Sequence, residues 1–271
     1  MNKFNKLVKA FSMLLVKPYL LNNVINDTSR WRKHVENNYG KGSGLPMVDI
    51  ISLLGSINEQ ISPFSFLDGG SMPTDLALLR GLARMQEDCS YFEIGTWRGE
   101  SVANVASIAK ECYTLNLSNI EIREQGYPES YVRQYGLLSR KFDNIIHLRG
   151  NSTSFDFAGL NKKFDLIFID GDHHYEMVKN DSHKVFTFLA HEDSVVVWHD
   201  YARNPETVRF EVLAGILDGT PKKYHDGLYF ISNTLCAIYT RRKLDSTPFQ
   251  PPLTPGKIFR LHLSSDELKP D

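Results

Sequence analysis

The stretch "YFEIGTWRGES", Tyr91 to Ser101, decides how this chain folds. An apolar run ends on Glu93, glycines follow at Gly95 and Gly99, and Ser101 lies in what reads as the opening of a helix. A strand, a glycine turn and a helix in that order open a β-then-α unit. Outward from it the pattern repeats. "CYTLNLS", "IIHLRGN", "FDLIFIDGD" and "SVVVWHDY" are apolar strands, and amphipathic stretches such as "ESVANVASIAKE", "ESYVRQYGLLSRKF" and "YEMVKNDSHKVFTFLA" lie between them. Apolar strands alternating with helices predict a mostly parallel sheet covered on both faces. The last two runs, "GLYFIS" and "LCAIYTRR", lie too close for a helical crossover and are expected to pair antiparallel at the sheet edge.

The 271 residues carry 31 Lys and Arg against 32 Asp and Glu, which gives no reason to expect nucleic acid as a partner. Cys89, Cys112 and Cys236 are widely spaced and read as core thiols of a reduced compartment. Residues 1–68 read as an N-terminal helical extension, 69–243 as the core domain and 244–271 as a proline-rich, extended or disordered tail. Pro73 and Thr74 introduce an amphipathic helix from about Asp75. In the extension, Phe4, Leu7, Val8, Phe11, Leu14 and Leu15 share one helical face beside Lys3, Lys6 and Lys9. The run is far below the ~20 apolar residues of a membrane span. It lacks a signal-cleavage pattern, so a cytoplasmic protein is expected. Packing of this helix on its own domain or on a second copy is the simpler reading; the other is peripheral contact of residues 1–20 with an anionic membrane.

In an open α/β sheet, ligands bind beyond the carboxyl ends of the strands, where the Glu93–Ser101 turn lies. The pattern is E-x-G-x-x-x-G-x-S rather than G-x-G-x-x-G. A carboxylate there suits a ligand with a cationic amino-acid end and a ribose better than a pyrophosphate. After the later strands, "IDGDHHYE" sets Asp170, Asp172, His173, His174 and Glu176 together, and "WHDY" adds His199 and Asp200. Asp170 and Asp200 would meet at one lip of the sheet as a hard oxygen site suited to Mg²⁺. Taken singly, each could instead cap a following helix. The concentration of such residues after two consecutive strands favours a site.

"FEIGTWRGES" resembles the first motif of the class I S-adenosylmethionine-dependent methyltransferases, and the resemblance runs from about Gly69 to Arg242. "FIDGDHHYEMVKNDS" and "VVVWHDY" bring it closest to metal-dependent sugar O-methyltransferases and the cephalosporin-hydroxylase-like group. The resemblance implies a Rossmann-like sheet of seven strands, the last antiparallel. It carries Glu93, Gly95, Gly99 and Ser101 to the methionine and ribose of S-adenosyl-L-methionine. Asn116 stands where the family has a ribose-binding acid, and Asn151 and Ser152 where it often meets adenine. Met72, with Ser71 and Thr74, either folds over the cofactor or simply starts the helix. Asp170 and Asp200 match metal ligands; His199 replaces an acid and makes Mn²⁺ a possible ion beside Mg²⁺. His173 matches the general base. Trp97, Arg98, Trp198 and Tyr201 could shape the substrate pocket, with Trp198 equally suited to the core.

The reading is therefore an O-methyltransferase acting on a hydroxyl of a small polar acceptor, a saccharide or lipid-linked saccharide by resemblance, as a possible homo-oligomer. The alternatives are a metal-dependent hydrolase or hydroxylase, a nicotinamide-dependent oxidoreductase and a non-catalytic binding protein.

Overall fold

The computed structural model describes residues 2–17 and 28–268. Residues 18–20, the end of the stretch considered for membrane contact, and residues 269–271 of the tail lie outside them. In chain order the elements are α1 (Lys3–Val16), α2 (Thr28–Tyr39), β1 (Met47–Val48), α3 (Ile50–Leu54), α4 (Pro73–Arg84), β2 (Ser90–Ile94), α5 (Glu100–Ala106), β3 (Glu111–Asn116), α6 (Asn119–Glu124), α7 (Glu129–Gln134), β4 (Ile145–Arg149), β5 (Phe164–Ile169), α8 (Tyr175–Lys184), β6 (Ala190–Trp198), β7 (Ala202–Asn204), β8 (Thr207–Val208), α9 (Phe210–Gly219), β9 (Leu228–Ile231) and β10 (Ala237–Tyr239).

The main sheet runs β1-β9-β10-β6-β5-β2-β3-β4. Strands β5, β2, β3 and β4 pair parallel, as does β6 with β5, and β10 runs antiparallel to both β6 and β9. The α/β class and antiparallel last strand are as expected. Among the described residues the sheet has eight strands, one more than expected. The addition is β1, which pairs parallel with β9 and takes the edge that β9 and β10 were expected to form. Met47 also pairs with Thr247, so the tail closes over the strand contributed by the N-terminal segment.

Alternation along the strands divides the core into two layers. Phe92, Ile94, Ile167, Ile169, Val196 and Trp198 point to one face. Tyr91, Leu166, Phe168, Val195 and Val197 point to the other. Helix α4 begins at Pro73, two residues earlier than expected. Its cap is made by Asp75, whose carboxylate accepts the Met72 N–H at 2.7 Å. Thr74 does not cap it, and its hydroxyl is buried without a partner.

Candidate active site

Register aligns the turns that carry the site. Ile94 pairs with Ile169, and Ile169 with Trp198. The next residues, Gly95, Asp170 and His199, therefore leave the sheet side by side. Backbone bonds extend the ladder into these turns: Asp170 N–H donates to Ile94 at 2.8 Å and His199 N–H to Ile169 at 3.0 Å. Gly95 N–H donates to Leu115 and Gly150 N–H to Asn116, both at 2.9 Å.

The two motif glycines serve the protein's own packing. Gly95 has φ +100°, and a Cβ there would lie 2.0 Å from the Asp170 carbonyl oxygen. Gly99, the residue before α5, has φ +84° and would meet Ser139 Oγ at 2.2 Å. Both positions need a left-handed backbone without a side chain.

Beyond the strand ends lies a cavity of about 790 Å³, a size that fits a small-molecule ligand. Gly95, Asn116, Asn151 and Ser152 line it at the β2, β3 and β4 turns, and Asp170, His173, Asp200 and Arg209 beyond β5 and β6. Trp97, Tyr131 and Tyr127 add an aromatic wall, with successive ring centroids 4.0 and 4.4 Å apart. Asn116 is nearly uncommitted, with one long bond of 3.4 Å to the Leu117 carbonyl. The Asn151 side-chain oxygen is held in a turn by Thr153, accepting its N–H at 2.9 Å and hydroxyl at 2.8 Å.

Other expected cofactor residues sit elsewhere. Glu93 is fully buried and absent from the cavity wall; it accepts from Tyr91 at 2.8 Å and Thr114 at 3.1 Å. Burial pushes its carboxyl up to about 8, against the hydrogen bonds from Ser101 and Tyr91. Ser101 is thus a partner of Glu93. Gly99 and Met72 also lie off the wall, whereas Asp68 and Gly69 reach it. Arg98 is buried and donates to the Asp68 carbonyl at 2.7 Å. Trp198 and Tyr201 belong to the core.

Asp170, His199 and Asp200 come together as the sequence suggested, with ligand atoms within 4.8 Å of one another. His199 Nδ1 lies 3.0 Å from Asp170 Oδ1 and 3.6 Å from Asp200 Oδ2. Despite this closeness Nδ1 is buried without an aligned hydrogen bond. Nε2 faces Asp75 Oδ2 at 3.2 Å. Burial opposes charge on the ring, but Asp170 and the neighbouring carboxylates outweigh it and raise His199 well above its ordinary value. Three carboxylates, Asp75, Asp170 and Asp200, surround the ring, and their negative charge is one that a divalent cation could balance. Donor spacing on the order of 3 Å, an orphaned Nδ1 and a carboxylate behind Nε2 fit a cation. Neither aspartate caps a helix: the N-cap residues of α8 and α9 are His174 and Arg209.

Burial raises the Asp170 carboxyl, His199 acting against it. Asp200 goes the other way: burial would raise it, but His199, Arg209 and His173 hold it below the usual range. His173 is 53% exposed on the wall, its Nδ1 3.9 Å from Asp200 Oδ2. Asp172 and His174 bond to each other on the rim.

Sequence reasoning did not single out Asp75, Arg209, Tyr127 or Tyr131. Arg209 follows a short hairpin and reaches Asp200 Oδ1 at 3.2 Å. Asp75 had one visible signal, its place three residues into the helix.

Residues 92–201 match a family model described as "Methyltransferase domain". No curated protein matches the chain. Among solved structures, an O-methyltransferase from Bacillus cereus in complex with SAH is 16% identical, with 79% of this chain and 100% of that chain covered and a TM-score of 0.42. SAH-bound methyltransferase PaMTH1 from Podospora anserina is 14% identical, covering 80% and 89%, with a TM-score of 0.44. YcgJ protein from Bacillus subtilis is 17% identical, covering 49% and 54%, with a TM-score of 0.35. The chain spans about half the length of the first structures it matches. The match to the methyltransferase-domain model takes in the turn after β2 and the residues after β3 to β6 that line the cavity, so residues 92–201 are similar to such a domain over the part of the chain that builds the site.

Proposed function

We propose that the protein is an S-adenosylmethionine-dependent O-methyltransferase. It acts on a hydroxyl of a small polar acceptor, a sugar or glycosylated molecule, with assistance from a divalent cation. One observation carries the reading: the uncommitted Asn116 amide and the His173–Asp200–Asp170 group open into one cavity. Methyl donor and proton acceptor can therefore meet there.

Gly95 lets the chain turn beneath the donor, and the Asn116 amide can bond a ribose hydroxyl. Trp97 and Tyr131 wall the cavity beside the Gly95–Gly99 turn and help to exclude water. Methyl transfer moves CH₃ from sulfonium sulfur to the acceptor oxygen, and the hydroxyl proton must leave. His173, exposed on the wall, takes that proton. Asp200 beside it stabilises the imidazolium that results. Asp170, His199 Nδ1 and Asp200 would hold Mg²⁺ or Mn²⁺, which supplies acidification and orientation of a bound hydroxyl.

Titration calorimetry with S-adenosylmethionine, with Mg²⁺ and again with EDTA, tests this. Micromolar binding retained by an Asp170→Ala, Asp200→Ala double variant that has lost methyl transfer supports separate donor and acceptor sites. No binding under either condition overturns the reading.

A further inference from the structure

Helix α1 buries none of its fourteen residues. Phe4, Leu7 and Phe11 are 69%, 66% and 66% exposed, and Val8 and Leu15 are exposed beside them. With about 3.6 residues per turn, Phe4, Leu7, Val8, Phe11, Leu14 and Leu15 fall within an arc of roughly 120°. Lys3, Lys6, Lys9 and Lys17 fall within another such arc, which Ala10 and Met13 interrupt. Residues 2–17 contain no carboxylate. The helix is capped from within its own segment, Asn2 Oδ1 accepting the Asn5 N–H at 2.9 Å.

A fourteen-residue helix is marginal in water, and a wide apolar stripe left in solvent adds to the cost. Among the described residues its own domain buries none of the stripe. A second copy would bring two lysine rows together with no acidic residue in either helix to offset them. An anionic bilayer answers both faces: acyl chains for the stripe, headgroup phosphates for lysines reaching out from its flanks. Among the described residues no helix is long and apolar enough to cross a membrane, so contact would be at the surface.

We propose that α1 is a membrane foot: it lies in the interface of an anionic bilayer, with Phe4, Leu7, Val8, Phe11 and Leu15 inserted and the four lysines on the phosphates. This stands independently of the chemistry proposed for the cavity.

The test is co-sedimentation of the full-length protein with vesicles of phosphatidylcholine and phosphatidylglycerol, and with phosphatidylcholine alone. Binding is expected to the mixed vesicles and to weaken with added salt. Each lysine near an anionic surface is worth about five-fold in affinity, so a Lys3→Gln, Lys6→Gln, Lys9→Gln triple variant loses on the order of a hundredfold. Phe11→Glu abolishes binding, while both variants keep the melting temperature of the parent. No binding to mixed vesicles overturns the proposal, as does equal binding to both vesicle types that the lysine variant leaves unchanged. A concentration-dependent dimer in sedimentation velocity, lost in Phe11→Glu and without vesicle binding, would assign the stripe to a second copy instead.

Discussion

His199 turns its Nε2 to Asp75 Oδ2, 3.2 Å away, and so aims Nδ1 at Asp170. Asp75 is fully buried and also accepts from Leu235 N–H at 2.8 Å and from Met72 N–H at 2.7 Å. One carboxylate thus ties the start of α4, the turn before β10 and the candidate cation site together. Asp75→Asn should weaken Mn²⁺ binding by about 10- to 100-fold, because a ligand histidine loses its orienting carboxylate. Asp75→Ala should also destabilise the protein by about 3 kcal/mol. Calorimetry with Mn²⁺ and denaturation in EDTA separate the two effects; Mn²⁺ affinity unchanged in Asp75→Asn would remove Asp75 from the site.

His173, the proposed base, is exposed on the cavity wall and has no part in the core. His173→Gln should lower kcat by about 10²- to 10⁴-fold. The affinity for S-adenosylmethionine should stay within a factor of about three. The limb of the pH–rate profile belonging to the base should vanish. Retained turnover in this variant would move the base elsewhere.

At Asn116 a neutral amide faces the cavity. Charge-assisted bonds to hydroxyls are about twice as strong as neutral ones, so Asn116→Asp should tighten S-adenosylmethionine binding by about five- to tenfold. Equal or weaker binding would mean that the ribose does not sit at the end of β3.

Glu93 has a folded-state value of about 8 against an ordinary 4.5. A value raised on folding means that the protonated form is the stabilising one. That contribution is complete below 4.5 and is lost as pH rises through 8. Glu93→Gln, a neutral mimic, should flatten the decline of Tm across this window and raise Tm by several degrees at its upper end. A Tm that falls with the parent's slope in the variant would contradict this.

Gly95→Ala places a Cβ 2.0 Å from the Asp170 carbonyl at φ +100°. A loss of at least about 3 kcal/mol is expected from clash and strain together. At Gly256, where nothing lies within 4 Å, alanine should change stability by no more than about 0.5 kcal/mol. Equal denaturation midpoints for the two variants would show that the turn after β2 can relax.

Strands β2 to β6 were legible because each is a continuous apolar run, ended by glycine, asparagine or an Asp/His turn. The pair β9 and β10 was legible from the short spacing between its runs. Strand β1 was not: two residues carry no periodicity, and only pairing with Phe230 and Ile231 makes them a strand. Asp170, His199 and Asp200 were legible as a cluster because parallel register puts the residues after neighbouring strands at one lip. Burial of Glu93 was not legible: two residues after Tyr91, it shares that residue's face of the sheet and accepts its hydroxyl, so it sits within the protein and off the cavity wall.

The amino-acid sequence by itself determined the order of strands and helices, the turn after β2 and the acid-and-histidine content of the site, because these follow from local periodicity and turn chemistry. Tertiary structure alone decided which of those side chains face the cavity. It also decided which carboxylate stands behind His199, since Asp75 and His199 are 124 residues apart and meet only through packing.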